Sequence, residues 1–323
     1  MPVSWTSITS KEEETSLIEA ITLSSETLIA KLLLPNWLLK LPLKPLRKVD
    51  SAWNALGNFV KSHTRRISQE INENGLNDTF EVRNADLLHR LVASSEGDGK
   101  HKLSDKEVLA NIFSLLFAGH ETTANSINVT LGYLAIHQDD QEKAYAEVKD
   151  RLDTNNELKF VDTSELPYLL ACFQESVRLF SSTMILARTF PEDFPVKVER
   201  PSPGVVVLPK GSRIIIDMVN TFRNPNVFEN PEQYKPSRWL GVPETEVAMF
   251  GAGPRACIGR RLAFTEAIGI LALFLRDWTL DIDLAPGETR SQYEERVMVI
   301  GPYAGTLAPI APLRLKITKR VQA

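Results

Sequence analysis

The sequence predicts a mostly α-helical fold carrying small β-sheets, and three observations predict it. Apolar residues such as Val108, Ile112, Leu115 and Leu116 recur at helical spacing in one long run over residues 105–137. Two further runs, over residues 168–180 and 258–276, are strongly apolar and also read as helices. Strand patterning is confined to short stretches, residues 205–207 and 214–216, placed around the turn Pro209-Lys210-Gly211. At 323 residues, 43% hydrophobic and 24% charged, the chain is long enough to bury a sizeable core. It shows no internal repeat and no low-complexity tract.

Charge and cysteine usage narrow the partners. A formal net charge of −4 gives no argument for nucleic acid. Two cysteines exclude a disulfide framework and suit a reducing compartment. No stretch supplies the ~20 mostly apolar residues of a membrane span. The N-terminus soon turns acidic at Glu12, Glu13 and Glu14, unlike a secretory leader. The nearest membrane feature is residues 32–48, where leucines, Trp37 and the basic Lys40, Lys44, Arg47 and Lys48 are broken by prolines. That pattern suits an interfacial loop in contact with a membrane surface; a buried connection between helices is the competing reading.

Taken in order, the elements carry their own signals. Ser104 and Glu107 form a capping-box pattern ahead of the long helix, which at 1.5 Å per residue would span roughly 50 Å. In its middle lie Gly119 and the paired threonines Thr122 and Thr123, poor helix formers preceded by Glu121. Local rules broken inside a strong element mark either a functional site or a simple kink. Pro167 suits a helix's first turn, and the helix that follows sets Glu175 and Arg178 one turn apart. Cys172, within the same apolar run, reads as a small buried hydrophobe. Asn224-Pro225 and Asn230-Pro231 mark a loop-rich meander that leads to Arg238 in Pro236-Ser237-Arg238-Trp239.

The most informative stretch is Phe250-Gly-Ala-Gly-Pro-Arg-Ala-Cys257-Ile-Gly259, at the mouth of the last apolar helix. Gly251 and Gly253 permit backbone geometry that residues with a Cβ resist. Pro254 fixes φ, and Arg255 adds a cation two residues before the sulfur. A helix N-terminus beside arginines favours the thiolate, the form that ligates metals. Gly259 would let the helix start approach a flat ligand closely.

This loop resembles the haem-thiolate loop of the cytochrome P450 family, F-x-x-G-x-R-x-C-x-G, with Phe250, Gly253, Arg255, Cys257 and Gly259 at its fixed positions. Three further landmarks follow the family's order. Ala118-Gly-His-Glu121-Thr122 matches A-G-x-[DE]-T, whose acid and alcohol manage protons on the distal haem face. Glu175-Ser-Val-Arg178 matches E-x-x-R, and Pro236-Ser-Arg238-Trp239 matches P-x-R-[FW]. The family joins the last two into a buried structural triad, here Glu175, Arg178 and Arg238.

The resemblance therefore implies a cytochrome P450 fold holding haem b, with Cys257 as axial ligand of the iron. Phe250, Gly251, Arg255, Gly259 and Arg188 would help bind it, the arginines against propionates, although each arginine is by itself equally a solvated surface charge. Thr122 and Glu121 would be catalytic. The implied reaction inserts one oxygen atom of O2 into an apolar substrate, with electrons from a separate NADPH-dependent reductase. Residues 183–187 and 302–307 would line the substrate pocket. Ser181 and Ser182 depart from the pattern, since relatives usually have proline there.

Residues 27–66 resemble the family's paired helices over the substrate entrance. The family's upstream helix with a tryptophan and an arginine for a propionate is not expected within this sequence, Trp5 lacking that context. The chain is thus expected to be a single partial domain over residues 1–323, lacking the N-terminal anchor, main sheet and early helices. Full-length relatives are anchored to the endoplasmic reticulum membrane, on its cytosolic face. Two rival readings are a non-catalytic haem binder and a peroxide-using or rearranging haem-thiolate enzyme.

Overall fold

The computed structural model describes residues 17–74, 86–96, 102–152, 165–199, 201–243, 248–303 and 306–320. They form two compact units, one up to Glu121 and one from Thr122 onward, with Tyr303 falling with the first.

The first unit is helical: α1 (Leu17–Glu26), α2 (Leu28–Leu33), α3 (Asn36–Leu39), α4 (Lys44–Asn74), α5 (Leu87–Glu96) and the first half of α6 (Asp105–Ile136). Helix α4 buries Ala52, Leu56 and Val60 at intervals of four, the period that lines one helix face. Leu17 and Ile21 of α1 pack on that stripe together with Leu109, Ile112, Phe113 and Leu116 of α6. Ile67, Val92 and Val108 close a second cluster between α4, α5 and α6. The start of α6 is capped as its sequence predicts: Ser104 N donates to Glu107 Oε2 at 2.8 Å and Glu107 N to Ser104 Oγ at 3.4 Å. The backbone N–H of Ser104 holds the Glu107 carboxyl below its ordinary value.

The second unit opens with the rest of α6, then α7 (Gln138–Lys149) and α8 (Pro167–Leu179). Four short strands follow, β1 (Ile185–Thr189), β2 (Phe194–Val198), β3 (Gly204–Leu208) and β4 (Arg213–Asp217), and the short α9 (Met218–Phe222). After the meander come α10 (Arg260–Asp277), β5 (Trp278–Ile282), α11 (Arg290–Val297), β6 (Ile300–Tyr303), β7 (Thr306–Pro309) and β8 (Leu315–Lys319). The main core lies between α7, α8 and α10, where Cys172, Phe173, Ala267, Leu271 and Leu275 are buried. Buried Gln141 of α7 ties β5 to this core: Leu280 N donates to its Oε1, and its Nε2 donates to Leu280 O, both at 2.9 Å.

Among the described residues every sheet is two-stranded, and the fold is mostly helical with small sheets, as the sequence predicts. The turn at 209–211 lies between two strands, as expected. It does not reverse the chain between paired strands; β3 pairs with β2 (Phe194↔Leu208) and β4 with β1 (Ile185↔Asp217), all antiparallel. The two strand pairs are nested as one long hairpin with a bend midway. At the bend Gly211 N donates to Phe190 O at 2.8 Å and Phe190 N to Ser212 O at 3.1 Å. Gly211 sits there at φ +83°, a conformation that residues with a Cβ resist.

Candidate functional site

Glu175 and Arg178, one turn apart on α8, are both fully buried. Arg178 Nε donates to Glu175 Oε2 at 2.8 Å and Arg178 Nη2 to Oε1 at 2.9 Å, a fork-on-carboxylate pair. Arg238 Nε reaches the same Oε1 at 2.9 Å. The structure thus brings Glu175, Arg178 and Arg238 into one network. Two further donors, absent from the sequence reading, complete it: the Trp239 indole N–H to Oε2 at 2.8 Å and the backbone N–H of Lys235 to Oε1 at 2.9 Å. Trp239 carried a signal, because a buried indole N–H needs an acceptor. The outer nitrogens of Arg178 are satisfied by the carbonyls of Phe222, Pro231 and Gln233, so the Asn-Pro meander serves as their acceptor shell. Phe228 lies under both guanidiniums, 5.1 Å from Arg178 and 6.0 Å from Arg238.

The cysteine loop has its own anchor. Phe250 packs on Phe264 of α10 with centroids 4.9 Å apart, and Phe264 in turn meets Phe173 of α8. From this anchor the chain passes through Gly251 (φ +72°) and a single 3-10 turn over Gly253–Arg255, with Gly253 at φ +71°. It closes where Cys257 N donates to Phe250 O at 2.8 Å. Both glycines therefore occupy the left-handed region that the sequence reading assigns them. A Cβ on Gly251 would lie 4.0 Å from Leu186, so the loop runs beside β1, the strand that carries Arg188.

What the loop presents is open. Cys257 is exposed, Ile258 is 90% exposed, and Arg255 is exposed without an ion-pair partner among the described residues. Cys172 is the reverse case: fully buried in α8, its thiol pushed above the ordinary range by that burial. A Cβ on Gly259 would make only ordinary contact with Cys257 Sγ, at 3.8 Å. Beyond its chain neighbours, no other atom of the described residues lies within 4 Å of that position, beside the sulfur. An open soft donor on a rigid loop, a cleared approach and an unpaired cation fit the haem that the resemblance implies.

Arg188 is half-buried on β1, where its Nη1 donates to Ala187 O at 2.9 Å. In α6 the Glu121 side chain lies 3.7 Å from His120 Nδ1, and Thr122 is half-buried. Around Thr122 the carbonyl accepts from Ser126 Oγ at 2.8 Å. Of the expected pocket lining, Met184 and Ile185 are exposed, while residues 304–305 lie outside the described residues, as does Trp5. In the segment 32–48, Leu32, Leu33, Trp37 and Leu43 are more than half exposed and Leu39 is buried. No helix among the described residues is long and apolar enough to cross a membrane.

Comparison with known proteins identifies the family. The fungal "Cytochrome P450 monooxygenase 124" of Postia placenta is 32% identical over 310 residues, covering 92% of this chain and 58% of that protein. Human "Cytochrome P450 4F12" is 31% identical over 71% of this chain and 44% of its own length. "Cytochrome P450 4g15" of Drosophila melanogaster is 29% identical over 68% of this chain and 39% of its own. The chain thus spans 39% to 58% of the length of these three relatives. The profile described as Cytochrome P450 matches residues 7–305, and this chain belongs to that family.

Proposed function

We propose that this chain forms the haem-thiolate part of a monooxygenase that inserts one oxygen atom of O2 into a small apolar substrate. The observation that carries the reading is the exposed Cys257 thiol, held on a loop closed by its own backbone N–H on Phe250. Cys257 would hold the iron of haem b as thiolate, and Gly259 would leave the ring room. Arg255 and Arg188 would each offer a guanidinium to a propionate, and Phe250 fixes the loop to the core behind it. When bound, haem supplies dioxygen activation, and thiolate ligation favours O–O cleavage.

The chain's own residues would handle protons and placement. The Thr122 hydroxyl would hold a proton at its Oγ for delivery, and the Glu121 carboxylate would relay protons toward it. Electrons would come from a separate NADPH-dependent reductase. Residues 32–48, with Leu32, Leu33 and Trp37 exposed beside Lys40, Lys44 and Lys48, would touch the membrane surface, on the cytosolic face of the endoplasmic reticulum.

Carbon monoxide binding to the reduced protein tests the central claim. The red-shifted Soret band of thiolate ligation is expected, and Cys257→Ala should abolish it; a band that survives the substitution rules the ligand out. Thr122→Ala should keep that band and divert reducing equivalents to peroxide. Unchanged coupling removes Thr122 from proton delivery. Trp37→Ala should weaken co-sedimentation with anionic vesicles, and equal binding discards the membrane contact.

A further inference from the structure

The stretch of α6 that follows Thr122 carries hydroxyls for which the proposed chemistry has no use. Ser126 and Thr130 lie at intervals of four from Thr122, on one helix face, and both are buried. Ser126 Oγ donates to Thr122 O and Thr130 Oγ1 to Ser126 O, each at 2.8 Å. Such back-bonding loads a carbonyl that already belongs to the helix ladder, and it bends helices. A further hydroxyl arrives from outside the helix. Ser182, just past the end of α8, lies 3.2 Å from Ser126 Oγ and 3.4 Å from Thr122 O.

Ser126 has one hydroxyl proton and directs it at the Thr122 carbonyl. With that proton committed, Ser126 Oγ can only accept in the 3.2 Å contact, where either oxygen could otherwise donate, and the Ser182 proton is available to it or to the carbonyl. The turn that brings Ser182 there is itself fixed, because Ser181 is 2% exposed and its Oγ donates to Thr183 O at 2.8 Å. Proline, which the family pattern places at these two positions, has no hydroxyl to offer.

We propose that Ser182 is a positioning residue, whose hydroxyl joins Ser126 in clamping the Thr122 carbonyl and so fixes the turn that presents the Thr122 side chain. The clamp rests on geometry within the second unit; its effect on coupling rests on the role proposed above for Thr122.

Hydrogen exchange on the full chain, read by mass spectrometry over residues 118–130, tests the clamp without any cofactor. Ser182→Ala should speed exchange about fivefold in peptides covering Thr122 to Thr130, the scale of one net hydrogen bond. Ser182→Thr, which keeps the hydroxyl, should exchange like the parent. Adding Ser126→Ala should give less than the product of the two single effects, because both hydroxyls act on one carbonyl. Unchanged exchange in Ser182→Ala overturns the proposal, as does a fully multiplicative double substitution.

The second readout is the share of reducing equivalents lost to peroxide by haem-loaded protein with an unaltered carbon monoxide spectrum. Ser182→Ala should raise that share and Ser182→Thr should restore it. If Thr122→Ala raises it and Ser182→Ala does not, the positioning role is overturned. If Thr122→Ala itself leaves it unchanged, the reading of Thr122 has failed, and exchange alone decides the clamp.

Discussion

The Glu175 network and the cysteine loop both lean on α8 and treat polar groups in opposite ways. Around Glu175 five donors from four residues converge on one carboxylate, and the arginine nitrogens that face outward find carbonyls. Nothing there is left for a ligand. On the loop the backbone is closed as firmly, yet the thiol of Cys257, the side chain of Ile258 and the guanidinium of Arg255 are all open. A buried charge must be paired by the protein itself, whereas a group meant for a ligand must stay unpaired until that ligand arrives. Full satisfaction suits a structural role, and open groups on a closed backbone suit the ligand site proposed above.

Substitutions can break this contrast. Glu175→Ala should have the largest effect, since it strands the buried Arg178 and Trp239 donors; a loss of about 3–5 kcal/mol in urea unfolding is expected. A midpoint equal to the parent's would show that the network is not structural. Arg178→Ala should come next and exceed Arg238→Ala, because their side chains are 0% and 11% exposed. Arg238→Ala should cost about 1.5–3 kcal/mol, the range of hydrogen bonds to a charged group. Trp239→Phe keeps most of the ring and removes one such bond, so about 1.5 kcal/mol is expected. Cys257→Ala and Arg255→Ala should shift stability least, within about 0.5 kcal/mol, as surface changes do. Cys257→Ala should nonetheless be the one that erases the thiolate spectrum. If it unfolds the chain instead, the loop is structural and the contrast fails.

The parts legible in the sequence are those whose signals are local. The starts of α6 and α8 follow from Ser104, Glu107 and Pro167, and the loop from Phe250 to Gly259 announces its left-handed glycines. Glu175, Arg178 and Arg238 were legible only through the family pattern, since 63 residues separate Glu175 from Arg238. Strand pairing was not legible. The segment 205–216 shows where strands lie, but the partners at 185–198 are chosen by tertiary packing, which no local period encodes. Gln141 was missed for a related reason. On an otherwise polar helix nothing distinguishes it until β5 arrives to use both ends of its amide.

The Glu175 carboxylate also has a kinetic consequence. Its contacts with Lys235, Arg238 and Trp239 span 60 to 64 residues, and all four strands of the bent hairpin lie inside the loop so closed. Helix α8 and the hairpin can each form from nearby contacts, but the carboxylate reaches its full set of donors only when that loop shuts. The network is therefore expected to act as a latch that sets late in folding. Destabilising it should speed unfolding far more than it slows refolding, and the lifetime of the native state should depend on a single side chain.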